Sequence, residues 1–215
     1  MLAAAVTLGA TMAGLPQVSL VAKPITTALC LAIAFTATPS VSRRYRLAIL
    51  TGLSLGLTGD ILLELDHGRY FAAGLGVFLV GHLAYLVAFT DVARLFSRWK
   101  PVLWLAVLAG SLTAVLWHGI EPSLRLPVAA YIVVLSAMAA QARVRAAVLP
   151  SPGARLAATG ATLFVVSDAA LAINRFGAPY PWSSVVILAT YWMAQWAIAS
   201  SVRDQAPATA VSSPS

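Results

Sequence analysis

The sequence predicts an all-α fold, a polytopic membrane helical bundle of about eight transmembrane helices. Of the 215 residues, 60% are hydrophobic and only 10% are charged, and the mean hydropathy is +0.86, above the range of soluble domains. Apolar runs of roughly 17 to 25 residues recur along nearly the whole chain, each able to cross a hydrocarbon core of about 30 Å as a helix. The net charge of +7 comes from basic residues in short connections between these runs, which favours a role in topology over nucleic-acid binding.

Proline, glycine and charge clusters divide a single transmembrane domain, residues 1–203, into eight predicted spans. The spans lie near 1–15, 24–38, 46–63, 70–93, 101–117, 126–142, 155–174 and 182–202. The first is short, but it lacks a basic region and a clear cleavage site, so we interpret it as a helix and not as a secretory signal. Residues 204–215, rich in Ala, Pro, Ser and Thr, form a predicted disordered tail.

The distribution of positive charge predicts the orientation. Three alternate connections, after the second, fourth and sixth spans, carry most of the basic residues: Arg43, Arg44 and Arg46; Arg94, Arg98 and Lys100; Arg143, Arg145 and Arg155. By the positive-inside rule these connections are cytoplasmic. We therefore expect a multi-pass protein of a bacterial-type cell membrane with both termini in the cytoplasm.

Two acidic residues, Asp60 and Asp168, fall inside predicted spans. A carboxylate in hydrocarbon costs several kcal/mol, so it normally faces a cavity or a partner and indicates a functional site. Counted from the basic ends of their spans, both lie roughly 20 Å deep at a rise of 1.5 Å per residue. If the two helices bring them together, one protonated and one ionised carboxyl group form an acid and base pair. The alternative is that each carboxyl group hydrogen-bonds nearby groups and only fixes helix packing.

Further polar residues occupy the same depth. His82 lies in the middle to outer part of the fourth span, and Tyr85 follows it on the same helix face at i+3. Tyr191 and Gln195, spaced i and i+4, form a polar stripe on the eighth span. These four residues are candidates for substrate binding or support of the aspartates, with a purely structural role as the alternative for each.

A weak internal sequence similarity relates the two halves of the chain. Asp60 and Asp168 are followed 22 and 23 residues later by His82 and Tyr191, and their offset of 108 residues preserves orientation across four spans. This pattern is compatible with two parallel four-helix halves. The three histidines lie at different depths without metal-ligand spacing, and Ser54, inside a predicted span, has no evident base, so we expect no metal and no serine nucleophile.

Several separate motifs resemble the YhhN-like family of lysoplasmalogenases in order and spacing along nearly the whole chain. They are Lys23-Pro24-Ile25-Thr26-Thr27, Gly59-Asp60 with Leu62, Phe78-Leu79-Val80-Gly81-His82-Leu83-Ala84-Tyr85, Phe164-Val165-Val166-Ser167-Asp168, and Tyr191 with Gln195.

The resemblance implies hydrolysis of the vinyl ether of a lysoplasmalogen, a single-chain ether phospholipid, to a fatty aldehyde and a glycerophospho-base, without a cofactor. It implies that one of Asp60 and Asp168 acts as general acid while the other, ionised, stabilises the cation and activates water. Lys23, near the entrance of the second span, would attract the lipid phosphate, or it is only a snorkelling lysine. The residues themselves also suit a proton-coupled transporter, a lipid-binding carrier, or a scaffold in which the polar groups only fix packing.

Overall fold

The computed structural model describes residues 16–64 and 70–203, with the side chains of residues 24–63 and 70–203. This part of the chain forms seven α-helices. They are α1 (Pro16–Thr36), α2 (Arg43–Glu64), α3 (Phe71–Ala88), α4 (Trp99–Leu116), α5 (Pro122–Val148), α6 (Pro152–Phe176) and α7 (Ser183–Ser200), with a 3₁₀ turn at Trp117–Gly119. They correspond to the second to eighth predicted spans. The predicted first span and tail lie outside the described residues, so the count of eight stays a prediction.

The helices confirm an integral multi-pass membrane protein. Five of them, α2 to α6, are long and apolar enough to cross a membrane, and α1 contributes a shorter apolar segment, Pro24–Thr36. Large apolar side chains cover the outside of the bundle, for example Val115 at 77% and Leu126 at 80% exposure. Such a surface is stable only against lipid, and the helices satisfy their own backbone hydrogen bonds.

Several helices extend past the predicted spans. α5 continues to Val148, so Arg143 and Arg145 are helical residues and do not lie in a loop. α1 begins at Pro16 and contains Pro24, which the sequence suggested as the start of the span. Proline and arginine mark where an apolar run ends. The helix itself can continue past that point, outside the hydrocarbon.

Six helices close into a ring, in the order α1, α2, α3, α5, α6, α7 and back to α1, while α4 lies outside it and packs mainly on α5. The most extensive contacts join α2 to α3 and α6 to α7. Small residues permit this: a Cβ built at Gly81 would lie 3.3 Å from the carbonyl oxygen of Gly52, and one at Gly160 would lie 2.9 Å from that of Ala194. In lipid, close backbone approach of this kind supplies much of the packing energy.

The helix ends and connections that carry most of the arginines lie together at one end of the bundle, called here the arginine-rich end. The amide of Val41 donates to the carbonyl oxygen of Val202 at 3.0 Å, which joins the α1–α2 connection to the end of α7. Arg145 forms a bidentate ion pair with Asp91, with N–O distances of 2.7 and 2.9 Å, which joins α5 to the α3–α4 connection. The end that holds the α4–α5 and α6–α7 connections is called the opposite end.

Candidate active site

Asp60 is buried on α2 in a network of hydrogen bonds inside the ring. Its Oδ2 accepts the hydroxyl of Thr27 at 2.8 Å and the hydroxyl of Tyr191 at 2.9 Å. Gln195 donates from Nε2 to the Tyr191 oxygen at 2.8 Å, and its Oε1 accepts the hydroxyl of Tyr85 at 2.9 Å. These five residues, called here the Asp60 network, join α1, α2, α3 and α7. The structure thus brings together four of the predicted site residues, and adds Thr27.

Glycines on one face of α2 make room for this network. A Cβ at Gly52 would overlap the ring of Tyr85, and one at Gly56 would lie 2.8 Å from Nε2 of Gln195. Both built contacts are closer than real Cβ atoms show, so an alanine at either position would displace a member of the network. The glycines serve packing, and what they pack against is the polar centre.

Asp168 has different surroundings. It is half-buried on α6, and its Oδ2 accepts the hydroxyl of Tyr131 at 2.7 Å. Tyr131, on α5, is buried and was not among the predicted site residues. A tyrosine hydroxyl in the middle of an apolar span needs a partner, and this is the signal that could have identified it.

A cavity of about 550 Å³ lies beside Asp168, between α3, α4, α5 and α6. This volume is within the range of roughly 300–1,000 Å³ typical of small-molecule sites. The cavity opens toward the lipid-facing surface, because its lining residues Leu108 and Val166 are each 45% exposed. Most of its lining residues are apolar. The polar ones are Thr113, Tyr131, Ser136, Asp168 and Tyr180.

His82 lies between the two aspartates in a cluster of rings. Its ring centroid is 5.1 Å from that of Phe164 and 5.4 Å from that of Tyr131, and Phe164 in turn contacts Tyr191 at 5.6 Å. We call His82, Tyr131, Phe164 and Tyr191 the aromatic cluster. His82 Nδ1 lies 2.7 Å from the carbonyl oxygen of Phe78, so it carries the proton and donates it. Its Nε2 is buried without a hydrogen-bond partner.

The aromatic cluster separates the two carboxyl groups. Tyr191 donates to Asp60 and Tyr131 donates to Asp168, so in the described structure each carboxyl group binds a different tyrosine. Asp60 does not line the cavity that Asp168 faces. The structure therefore places both aspartates around one aromatic cluster, with ring contacts between their hydrogen-bond networks.

Two further sequence expectations concern Lys23 and metal binding. Lys23 belongs to α1, but its side chain lies outside the described residues. Within residues 16–64 and 70–203, no group of three or more His, Cys, Asp or Glu side chains is arranged to hold a metal ion.

Comparison with known proteins identifies relatives along most of the chain. Human "Lysoplasmalogenase TMEM86A" is 33% identical over 173 residues, which cover 79% of this chain and 69% of that protein. The "Lysoplasmalogenase" of Mycobacterium tuberculosis is 36% identical over 139 residues, 62% of this chain and 51% of its own length. The "Uncharacterized membrane protein YhhN" of Escherichia coli is 32% identical over 146 residues, 68% of each chain.

No solved structure matches the chain. The family model described as the YhhN family matches residues 18–202, which include all of the described site residues and all seven helices except the first residues of α1. This chain therefore belongs to the YhhN family.

Proposed function

We propose that this protein is a lysoplasmalogenase, an intramembrane hydrolase that cleaves the vinyl ether bond of a lysoplasmalogen to a fatty aldehyde and a glycerophospho-base. The observation that carries the proposal is the carboxyl group of Asp168, held by Tyr131 in the wall of a mostly apolar cavity that opens toward lipid. A lipid chain fits such a lining, and an acid-labile ether needs only a positioned proton donor. The names of the human and mycobacterial relatives support the same reaction.

The reaction begins with proton transfer from protonated Asp168 to the β carbon of the vinyl ether. This step leaves an oxocarbenium ion at the α carbon, which water attacks while the Asp168 carboxylate accepts a proton from it. The hemiacetal then collapses as Asp168 returns that proton to the ether oxygen, which leaves as the glycerol hydroxyl. The Asp168 carboxylate takes the proton of the hemiacetal hydroxyl as the aldehyde forms, which restores protonated Asp168. One water is consumed, and general acid and base help of this kind contributes about 10²–10⁴-fold to the rate.

Asp60 is the second carboxyl group of the proposed mechanism. Two hydroxyl groups donate to its Oδ2, and such donors stabilise a carboxylate. A negative charge behind the aromatic cluster attracts the oxocarbenium ion through a medium of low dielectric constant, without contact. In this assignment Asp168 performs the proton transfers and Asp60 stabilises the charge that they create.

A proton-coupled carrier is the competing function, since the buried Asp60 network also suits proton binding. The cavity favours the hydrolase, because its lining is mostly apolar and Asp60 is not part of it. A polar solute would need a polar path, whereas a lipid chain would not.

Conservative amide variants test the proposal. We expect Asp168→Asn, purified in detergent, to release no fatty aldehyde from lysoplasmenyl-phosphoethanolamine while its thermal unfolding stays close to that of the wild type. We expect Asp60→Asn to be impaired as well. Wild-type rates in Asp168→Asn would reject the proposed acid, and wild-type rates in Asp60→Asn would reject only the second aspartate's role. A wild-type protein that leaves the lipid intact but moves protons or a solute would support the carrier.

A further inference from the structure

We propose that Arg125 and Arg175, at the opposite end of the bundle, bind the phosphate of a single-chain phospholipid whose hydrocarbon chain lies in the cavity. This assigns a headgroup site to residues that the sequence pattern did not single out. For its role in turnover the inference rests on the proposed function, but phosphate binding can be measured without turnover.

Arg175 lies at the edge of the cavity, in the last turn of α6. Its guanidinium carbon is 4.7 Å from the ring centroid of Phe71, a residue that lines the cavity, and its chain neighbour Phe176 lines the cavity too. Arg175 is exposed, so its charged group is accessible from the membrane surface. The stacking contact orients the guanidinium group and leaves its N–H donors available.

Arg125 flanks the same end from α5. Its Nε donates to the carbonyl oxygen of Ile120 at 3.3 Å, and its guanidinium carbon lies 5.2 Å from the Trp117 ring. Ile120 lines the cavity, and the neighbouring Gly119 packs directly against the carbonyl of Phe176. The connection held by Arg125 therefore abuts the last turn of α6, one residue from Arg175.

Charge complementarity favours an anionic ligand here. Within the part of the chain that the structure describes, neither guanidinium group takes part in an ion pair, unlike that of Arg145. Guanidinium groups bind phosphate through paired, charge-assisted hydrogen bonds. Two arginines at the mouth of a mostly apolar cavity, neither of them ion-paired within the described residues, match a ligand with a phosphate at one end and a hydrocarbon chain at the other.

The spacing along α6 matches the length of the proposed ligand. Asp168 and Arg175 are seven residues apart, which places them on the same helix face about 10 Å apart at 1.5 Å per residue. In a lysoplasmalogen, seven bonds separate the β carbon of the vinyl ether from the phosphorus atom. At about 3.8 Å for three bonds, that path extends to roughly 9 Å. A lipid with its vinyl ether at Asp168 can therefore place its phosphate within reach of Arg175.

The rest of the cavity accommodates one chain. Past Asp168, toward the arginine-rich end, it continues among Leu108, Leu135 and Val165. There it opens between α4 and α6, where Leu108 and Val166 are partly exposed. The remaining length of the lipid's hydrocarbon chain leaves through this gap into the bilayer. This arrangement suits a single-chain lipid in which the headgroup stays at the surface.

A binding experiment tests the site without catalysis. Thermal unfolding of the detergent-purified protein is followed against increasing 1-acyl lysophosphatidylethanolamine, which has an ester in place of the vinyl ether, and against uncharged 1-acylglycerol. A ligand that binds the folded state raises the unfolding temperature. Losing a charge-assisted hydrogen-bond pair weakens binding about tenfold to a hundredfold. We therefore expect the Arg125→Gln/Arg175→Gln variant to require a phospholipid concentration higher by that factor for the same rise in unfolding temperature. Its response to 1-acylglycerol should be unchanged.

Arg155→Gln is the matched control, because Arg155 is an exposed arginine at the other end of the same helix, bonded to the carbonyl of Pro150. It should respond to both lipids like the wild type. The phosphate site is rejected if the double variant binds the phospholipid like the wild type, or if it loses both lipids equally, since the second outcome indicates a damaged cavity.

Kinetics separate this inference from the proposed function. The double variant should raise KM for lysoplasmenyl-phosphoethanolamine about tenfold or more, with kcat nearly unchanged, and should hydrolyse the uncharged 1-alkenylglycerol like the wild type. If the wild type hydrolyses neither substrate, the proposed function fails, while the binding experiment still decides whether the arginines hold phosphate. Equal KM values in variant and wild type would reject the phosphate site alone.

Discussion

At the scale of single residues, the two aspartates differ in their surroundings more than their matching depth suggests. Asp60 is buried at 6% exposure among donors from α1 and α7, whereas Asp168 is half-buried with one tyrosine donor and faces the cavity. The sequence leaves open whether the two carboxyl groups form a close pair; in the structure each carboxyl group accepts a hydrogen bond from its own tyrosine. The proposed acid and the proposed charge-stabilising group are therefore separate positions, and single variants can distinguish them.

Removing the hydroxyl group of Tyr131 tests the position of Asp168. Tyr131→Phe deletes the 2.7 Å hydrogen bond to Oδ2 and keeps the ring contact with His82. The hydroxyl stabilises the carboxylate that Asp168 becomes as it gives up its proton, and a hydrogen bond to a charged group is worth about 1.5–3 kcal/mol. We therefore expect kcat/KM for the vinyl ether lipid to fall roughly tenfold to a hundredfold. Tyr45→Phe is the control, because the Tyr45 hydroxyl bonds Ser201, outside both the cavity and the Asp60 network; an equal loss there would show that the effect is not specific to Asp168.

His82 is expected to support the aromatic cluster without transferring protons. Its Nδ1 is engaged by the Phe78 carbonyl and its Nε2 has no partner. His82→Asn retains a donor near Nδ1 and should keep hydrolysis within a few-fold of the wild type. Both variants remove the ring, but His82→Ala also removes the hydrogen bond to Phe78 and should lower the unfolding temperature more than His82→Asn does. Loss of turnover in a stably folded His82→Asn protein would show instead that the imidazole acts directly in the reaction.

At the scale of elements, one face of α2 decides whether the polar centre can assemble. Gly52, Gly56 and Gly59 recur at spacings of four and three residues, and a Cβ at each would press on a side chain from α3 or α7, namely Tyr85, Gln195 or Phe78. Glycine lowers helix stability relative to alanine. Three glycines on one helix face therefore indicate that close approach of the neighbouring helices outweighs the lower helix propensity. The small-residue face of α2 and the large polar groups of its neighbours are complementary parts of one site.

Gly56→Ala tests this complementarity. The added methyl group would lie 2.8 Å from Nε2 of Gln195 and 3.5 Å from the Tyr191 hydroxyl, so it must displace the amide that holds Tyr191 on Asp60. We expect lower hydrolysis and a lower unfolding temperature. The matched control is Gly76→Ala, whose Cβ meets nothing within 4 Å and which should be neutral or slightly stabilising because alanine favours the helix. Similar behaviour of the two variants would exclude a role for Gly56 in the site.

At the scale of the whole molecule, the sequence predicts the bundle well because length and apolarity alone decide which segments can cross a bilayer. It also identifies Asp60 and Asp168, since a carboxyl group inside an apolar run is conspicuous. It does not predict the cavity, because that space depends on α4 lying outside the ring. Nor does it reveal the partners Tyr131 and Asp168, or Arg145 and Asp91, which are 37 and 54 residues apart with no local pattern to connect them.

Arg145 stabilises the bundle at the arginine-rich end, away from the proposed site. The sequence explains it as a topology residue, yet it is 1% exposed, paired with Asp91 and stacked on Tyr45 at 4.5 Å. This contact joins α2, α5 and the α3–α4 connection at the arginine-rich end. Asp168 lies eight residues from the opposite end of its helix, about 12 Å along the axis, so the ion pair maintains the bundle at a distance from the proposed chemistry.

Breaking the ion pair should therefore lower stability and leave the reaction intact. Asp91→Asn leaves a buried guanidinium group without its charge partner, which typically costs about 3–5 kcal/mol, so we expect a markedly lower unfolding temperature in detergent. Below that temperature, hydrolysis per folded molecule should match the wild type, because Asp91 touches neither the cavity nor the Asp60 network. Arg143→Gln is the control, since Arg143 is exposed and, among the described residues, bonds only the Thr162 hydroxyl, and it should change stability little. A loss of turnover in folded Asp91→Asn protein would mean that the arginine-rich end influences the reaction itself, and the proposed division between the two ends would be wrong.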